Sequence, residues 1–237
     1  ESLAQSYATL KAEKTLEQRA RAADGLIDTK GLRDIVDWPA GERDGYDFKE
    51  VNTVVNAFYY QCLVDMGGIA EALGKADDAA EYRDKARRFR AAFHRAFFDA
   101  ARGVYVDGEG SAHASLHANM MPLAFGLVPQ DRRKSVSDFV VSRGMKCSVY
   151  GSQYLLEALY EAGRADAALK LMTSQDVRSW HNMLRAGSTI AMEAWDDRFK
   201  PNQDWNHAWG GAPANIIARY LMGVRPLAPG FARAIVQ

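Results

Sequence analysis

Several absences narrow what this chain can be. It has no excess of charge: 30 basic residues meet 30 acidic ones, for a formal net charge of zero. No long-range field therefore favours nucleic acid or an anionic lipid surface, and neither is expected as a partner. No apolar run approaches the length of a membrane span. Cysteine is scarce. Cys62 and Cys147 are the only two, and neither sits in a CxxC spacing. Two thiols do not assign a compartment. Cys62 falls on an apolar helical stripe and is expected to be a small buried hydrophobe. Convincing two-residue alternation is also missing, which argues against a sheet-based fold. There is no signal-peptide pattern, although Glu1 opens inside a helical pattern, so the true N-terminus is expected to lie further upstream.

What remains is an ordinary globular composition. The chain has 237 residues, 48% of them hydrophobic and 25% charged, enough for one large domain or two small ones with a sizeable core. Apolar residues from Val51 recur at Val54, Val55, Phe58, Cys62, Met66, Ile69, Ala70 and Leu73, and Gly74 then stops the pattern. A second helix is expected from about Asp77, with Ala80, Ala86, Phe89, Phe93 and Phe97 facing inward. Residues 103–108 read as a short extended turn. Helices are further expected near 112–126, 130–142, 148–162, 164–174 and 211–222. The class is all-α, built from helical hairpins. A solenoid would need a fixed period, which is not found. A closed toroid of hairpins fits, although six hairpins need on the order of 300 residues.

Two long links between helices carry the unusual chemistry. Residues 37–46 read DWPAGERDGY, with Glu42 in a stretch too rich in Pro and Gly to be helical. Taken alone it reads as a solvated turn. Residues 179–210 hold Trp180, Trp195, Trp205 and Trp209, four of the chain's five tryptophans, among Glu193, Asp196, Asp197, Asp204, His181 and His207. Tryptophan faces stack on the C–H faces of sugars, while carboxylates and amides take up hydroxyls. Core tryptophans beside helix-capping acids fit the same composition, and both readings stand. Glu42 and Glu193 are the candidate pair for glycoside hydrolysis, which needs one carboxyl kept protonated and one ionised.

With those blocks in view, DWPAGERDGY, STIAMEAWD and DWNHAWG, together with LAFGLVP, YGSQYLLEALYEAG and GVRPLAPGF, resemble the catalytic domain of the α-L-rhamnosidases of glycoside hydrolase family 78. The resemblance implies an (α/α)6 barrel over residues 1–224, incomplete at its N-terminus, with 225–237 leading toward a β-sandwich. It implies inverting removal of terminal α-L-rhamnose from a glycoside or oligosaccharide. Glu42 is then the general acid and Glu193 the general base, with Asp37 and His207 as sugar contacts. Trp38, Arg43, Tyr46, Trp195 and Asp204 are further expected to shape the site. The sequence departs from the family pattern at Tyr46, where a Trp is usual, at Met192, where another is, and at Lys49, where many members carry an Asp. Asp47 or Glu50 is the candidate substitute for that acid.

His113 and His117 are four apart and would share one helical face. No HExxH pattern and no third ligand accompany them, so no metal is assigned, and no cofactor is expected. The rival readings are another α/α-barrel carbohydrate-active enzyme with a different sugar specificity or a lyase reaction, and a non-catalytic carbohydrate-binding helical domain. A panel of aryl glycosides separates the first from a rhamnosidase. Binding without turnover marks the second.

Overall fold

In a computed structural model the chain is described at residues 2–12 and 17–237. It divides into two compact units. The first comprises Glu1–Asp34 and Asp47–Ala114, the second Ile35–Tyr46 and Ser115–Gln237.

The first unit is built on a helical hairpin. Helix α1 spans Leu3–Ala12, α2 Thr53–Ala72 and α3 Ala76–Phe97. Asn52 starts α2 because its side chain accepts the Val55 amide at 3.0 Å, satisfying one of the orphan donors of the first turn. Gly74 ends the helix at φ 71°. Its amide reaches Glu71 O and the next amide, of Lys75, reaches Ala70 O. This paired closure needs a left-handed residue, which is why a glycine stands there. Tyr82, Phe89, Phe93 and Phe97 form the inner stripe of α3, with Phe89 edge-on to Tyr59 at 5.2 Å and Phe93 to Phe97 at 4.9 Å. Asn56, fully buried in α2, bonds both the amide and the carbonyl of Ile27 and so pins the upstream coil. Strands β1 (Phe98–Asp99) and β2 (Val104–Tyr105) pair over two residues, close to the expected turn.

Two expectations fail on these helices. Cys62 is exposed, because the inward face of α2 runs through Val54, Ala57, Leu63, Gly67 and Ala70. Phe58 and Met66 are only half-buried. Ala80 likewise points outward, and Ala79 takes the inner position. In both helices the apolar residues extend beyond the packed face, so a stripe drawn through the larger side chains is rotated from the true one.

The second unit packs α4 (Leu116–Ala124), α5 (Arg133–Arg143), α6 (Gly151–Glu161), α7 (Ala165–Met172), α8 (Trp180–Arg185) and α9 (Ala212–Ile216). Helix α4 is buried from Leu116 to Leu123 and lies against α5 and α6. It starts four residues later than its apolar pattern, because Ser115 caps it by accepting the Ala118 amide at 3.1 Å. His113 therefore precedes the helix, and the two histidines do not share a helical face. His113 Nδ1 bonds Asp107 at 2.6 Å, and His117 Nε2 bonds Asp37 at 2.7 Å. Helix α6 turns into α7 through Gly163, with the same double closure seen at Gly74. After a π-helical turn at Ile217–Leu221, strands β3 (Val224–Pro226) and β4 (Ala234–Val236) form an antiparallel hairpin. No helix among the described residues is long and apolar enough to cross a membrane.

Candidate active site

The second unit holds both carboxylates. Glu42 ends a short 3-10 turn, Ala40–Glu42, that follows a cis Trp38–Pro39 bond. The turn is anchored at Asp37, whose carboxylate takes four hydrogen bonds. Oδ1 accepts from the Trp38 amide at 2.8 Å and from Ser148 Oγ at 2.5 Å; Oδ2 accepts from His117 Nε2 and from the Ser148 amide at 2.9 Å. Gly151 sits so close that a Cβ there would lie 2.8 Å from Asp37 Oδ2. Val36, one residue upstream, is held at φ 53° while the Asp37 amide bonds Ile35 O. A β-branched residue resists that backbone region, and the Asp37 network holds it there.

These four bonds match the acceptor capacity of a carboxylate, and through them Asp37 anchors the Glu42 turn. Arg43 braces the same turn. Its Nε donates to the Asp37 carbonyl at 2.8 Å, while the partner of Glu42 is Arg178. Arg178 grips Glu42 with two bonds, Nε to Oε2 at 2.8 Å and Nη2 to Oε1 at 3.1 Å. No motif marks Arg178, which immediately precedes the tryptophan-rich segment. Glu42 is 1% exposed. Burial raises its pKa, Arg178 and His117 oppose the rise, Asp37 adds to it, and the net direction is upward.

Glu193 is built from backbone links across its own loop. Its amide donates to Asp204 O at 2.9 Å, and the Asp204 amide returns to Glu193 Oε2 at 2.9 Å. Two residues along, the His207 amide bonds Ala191 O. Trp209 Nε1 donates to the Glu193 carbonyl at 2.9 Å. Lys200 Nζ forms an ion pair with Glu193 Oε2 at 2.9 Å. Burial pushes the Glu193 carboxyl up, but the Asp204 amide, Lys200 and His207 outweigh it and the net direction is downward. The two carboxylates thus sit in unlike settings, one biased toward its proton and one against it.

A short strap joins their partners. Arg178 lies over the Phe199 ring at 4.4 Å, and the next residue, Lys200, holds Glu193. The remaining expected site residues divide. Trp195 is 0% exposed; its indole donates to Cys147 O at 2.8 Å and meets Trp180 edge-on at 4.9 Å. It backs the Glu193 loop from the core. Tyr46 is buried too, whereas Trp38 and Trp205 are exposed at 42% and 43%. His207 is half-buried and stacks on Trp209 at 4.2 Å; Asp204 is exposed. The tryptophans thus divide between core support and solvent-facing surface. In the first unit Asp47 is tied to Ser111 Oγ at 2.7 Å and Lys49 Nζ at 3.1 Å. No group of three metal-ligating side chains occurs among the described residues.

A helical frame whose loops present two carboxylates with opposed proton affinities is the arrangement that acid–base glycoside hydrolysis calls for. Residues 1–221 match the model of the bacterial alpha-L-rhamnosidase 6 hairpin glycosidase domain, and the chain belongs to that family. The alpha-L-rhamnosidase of Alteromonas sp. (strain LOR) is 27% identical over 208 residues, covering 82% of this chain and 22% of the relative. That of Streptomyces avermitilis is 26% identical over 200 residues, covering 78% and 18%. The chain thus spans about a fifth of these relatives. Among solved structures, the S. avermitilis alpha-L-rhamnosidase complexed with L-rhamnose superposes with a TM-score of 0.80 at 22% identity, over 99% of this chain and 22% of that one. The alfa-L-rhamnosidase from Aspergillus terreus gives 0.79 at 19%, over 99% and 28%. The all-α class and the six-hairpin glycosidase fold follow.

Proposed function

We propose that the protein containing this domain hydrolyses terminal α-L-rhamnosyl residues with inversion, with Glu42 as general acid and Glu193 as general base. What supports the assignment is the unlike setting of the two carboxylates: Glu42 is buried, which raises its pKa, whereas Glu193 accepts from Lys200 and the Asp204 amide, which outweigh its burial and lower its pKa. Between the two values Glu42 holds a proton for the leaving oxygen while Glu193 is ionised and takes one from water. Glu193 Oε2 accepts from Lys200 and from the Asp204 amide, which leaves Oε1 as the oxygen proposed to take the proton of the attacking water. Trp38, Trp205, Asp204 and His207 are the residues proposed to meet the sugar, and a rhamnose-containing glycoside is the proposed substrate. The L-rhamnose of the S. avermitilis complex supports that choice of sugar.

The signs fix the pH dependence. As pH falls through the lowered Glu193 value, the base is lost. As pH rises through the raised Glu42 value, the acid is lost. The kcat/KM of the full-length protein on nitrophenyl α-L-rhamnopyranoside is expected to be bell-shaped, since free-enzyme pKa values appear in that parameter. A profile flat across both limbs would overturn the assignment.

A further inference from the structure

We infer that Lys200 is a positioning residue for the general base, drawing Glu193 Oε2 aside so that Oε1 is the oxygen that accepts the proton of the attacking water. The inference rests on the reading of Glu193 as the base. It assigns a task to a cation that no sequence motif marks.

The geometry is specific. Lys200 and Glu193 side chains are 16% and 11% exposed, so the pair is largely withdrawn from solvent and weakly screened. The loop that carries Lys200 is braced on itself. The Phe199 amide donates to Asp196 O at 3.0 Å and the Gln203 amide to Lys200 O at 3.1 Å. Gln203 Oε1 accepts the Ala194 amide at 2.8 Å while its Nε2 reaches Asp197 at 2.8 Å. Phe199 is held under the Arg178 guanidinium. A lysine is a flexible point charge, and here its backbone is fixed on both sides and its Nζ also donates to Asn202 O at 3.1 Å. Two donors on Oε2 restrict rotation of the carboxylate about its own axis. The charged groups that act most strongly on Glu193 are Lys200 and His207, and those that act most strongly on Glu42 are Arg178, Asp37 and His117. Lys200 bonds Glu193 directly and Glu42 is held by Arg178, so removing Lys200 is expected to act chiefly on the Glu193 limb of the pH profile.

The test uses the full-length protein and nitrophenyl α-L-rhamnopyranoside, with wild type, Lys200→Met, Lys200→Arg and Glu193→Gln assayed together. Lys200→Met is expected to move the acid limb of kcat/KM upward and lower kcat, leaving the alkaline limb in place. Lys200→Arg is expected to bring the acid limb back toward wild type. An acid limb unmoved in Lys200→Met overturns the inference, as does an equal shift of both limbs. A second readout needs no turnover. Glu193 has a lowered pKa when folded, so its share of stability is present above the unfolded value and lost as pH falls through the folded one. The stability gap between wild type and Lys200→Met is expected to close in that acid window, and a gap that stays constant with pH contradicts a charge-mediated role. Full activity in Glu193→Gln would remove the parent reading instead, and the stability gap would then decide on its own whether Lys200 acts on that carboxylate.

Discussion

Glu193→Gln is expected to lower kcat on nitrophenyl α-L-rhamnopyranoside by at least ~100-fold, and Glu42→Gln to lower it at least as much on a rhamnoside whose leaving alcohol is weakly acidic, the lower bound usual for a positioned base or acid. The two losses differ in character. Glutamine at 42 is nearly isosteric, and its amide can still meet one arm of Arg178, so the turn anchored by Asp37 stays in place. Its effect falls on the leaving group. The Glu42→Gln enzyme should therefore lose less on a substrate whose leaving phenol is strongly acidic, since that departure needs little protonation. Glutamine at 193 cannot take a proton from water whatever the leaving group, so its loss should be uniform across a leaving-group series. Measured kcat and KM over such a series checks both. Near-wild-type turnover by either variant across the series would remove that residue from its role.

Trp195→Ala should have the largest effect on folding. The indole is fully buried, donates to Cys147 O, and braces Trp180. Truncating a buried tryptophan costs about 3–5 kcal/mol through lost burial and the cavity left behind. It also leaves the Cys147 carbonyl without this donor. Stabilities of whole domains are only ~5–15 kcal/mol, so about a fifth or more is at stake. Trp195→Phe keeps most of the ring but not the N–H, and is expected to fall between wild type and the alanine variant. Urea unfolding of the three proteins checks the order. Since Trp195 lies two residues from Glu193, activity is expected to fall in step with the folded fraction, and a fully stable yet inactive Trp195→Ala would place the indole at the sugar after all.

Helix periodicity and punctuation made the architecture legible. Gly74 and Gly163 close hairpins where the pattern stops, because a left-handed closure admits little else. The rotation of each helix was less legible. Hydrophobicity places Cys62 and Ala80 inward, but it does not distinguish a packed stripe from one that extends onto the surface. The candidate carboxylates lay in recognisable motifs, whereas their partners did not. Arg178 is 136 residues from Glu42, and nothing local in either stretch couples them. Asp37 and Ser148 are 111 residues apart, and the bonds that make Asp37 an anchor of the Glu42 turn are not visible in its own motif. Trp195 shares a motif with Glu193, but only burial shows that it points into the core. Local patterns report what kind of chemistry a segment offers. Which oxygen is already occupied depends on residues brought in from elsewhere in the fold.

The most direct test is a structure of the full-length protein with L-rhamnose bound. One sugar ring is expected between Glu42 and Glu193, with the two carboxyl groups about 6.5–9.5 Å apart and a water on the Glu193 side, the spacing inversion requires. Carboxyl groups only about 5–5.5 Å apart would indicate a retaining mechanism, and a sugar bound away from either residue would contradict the assignment of both.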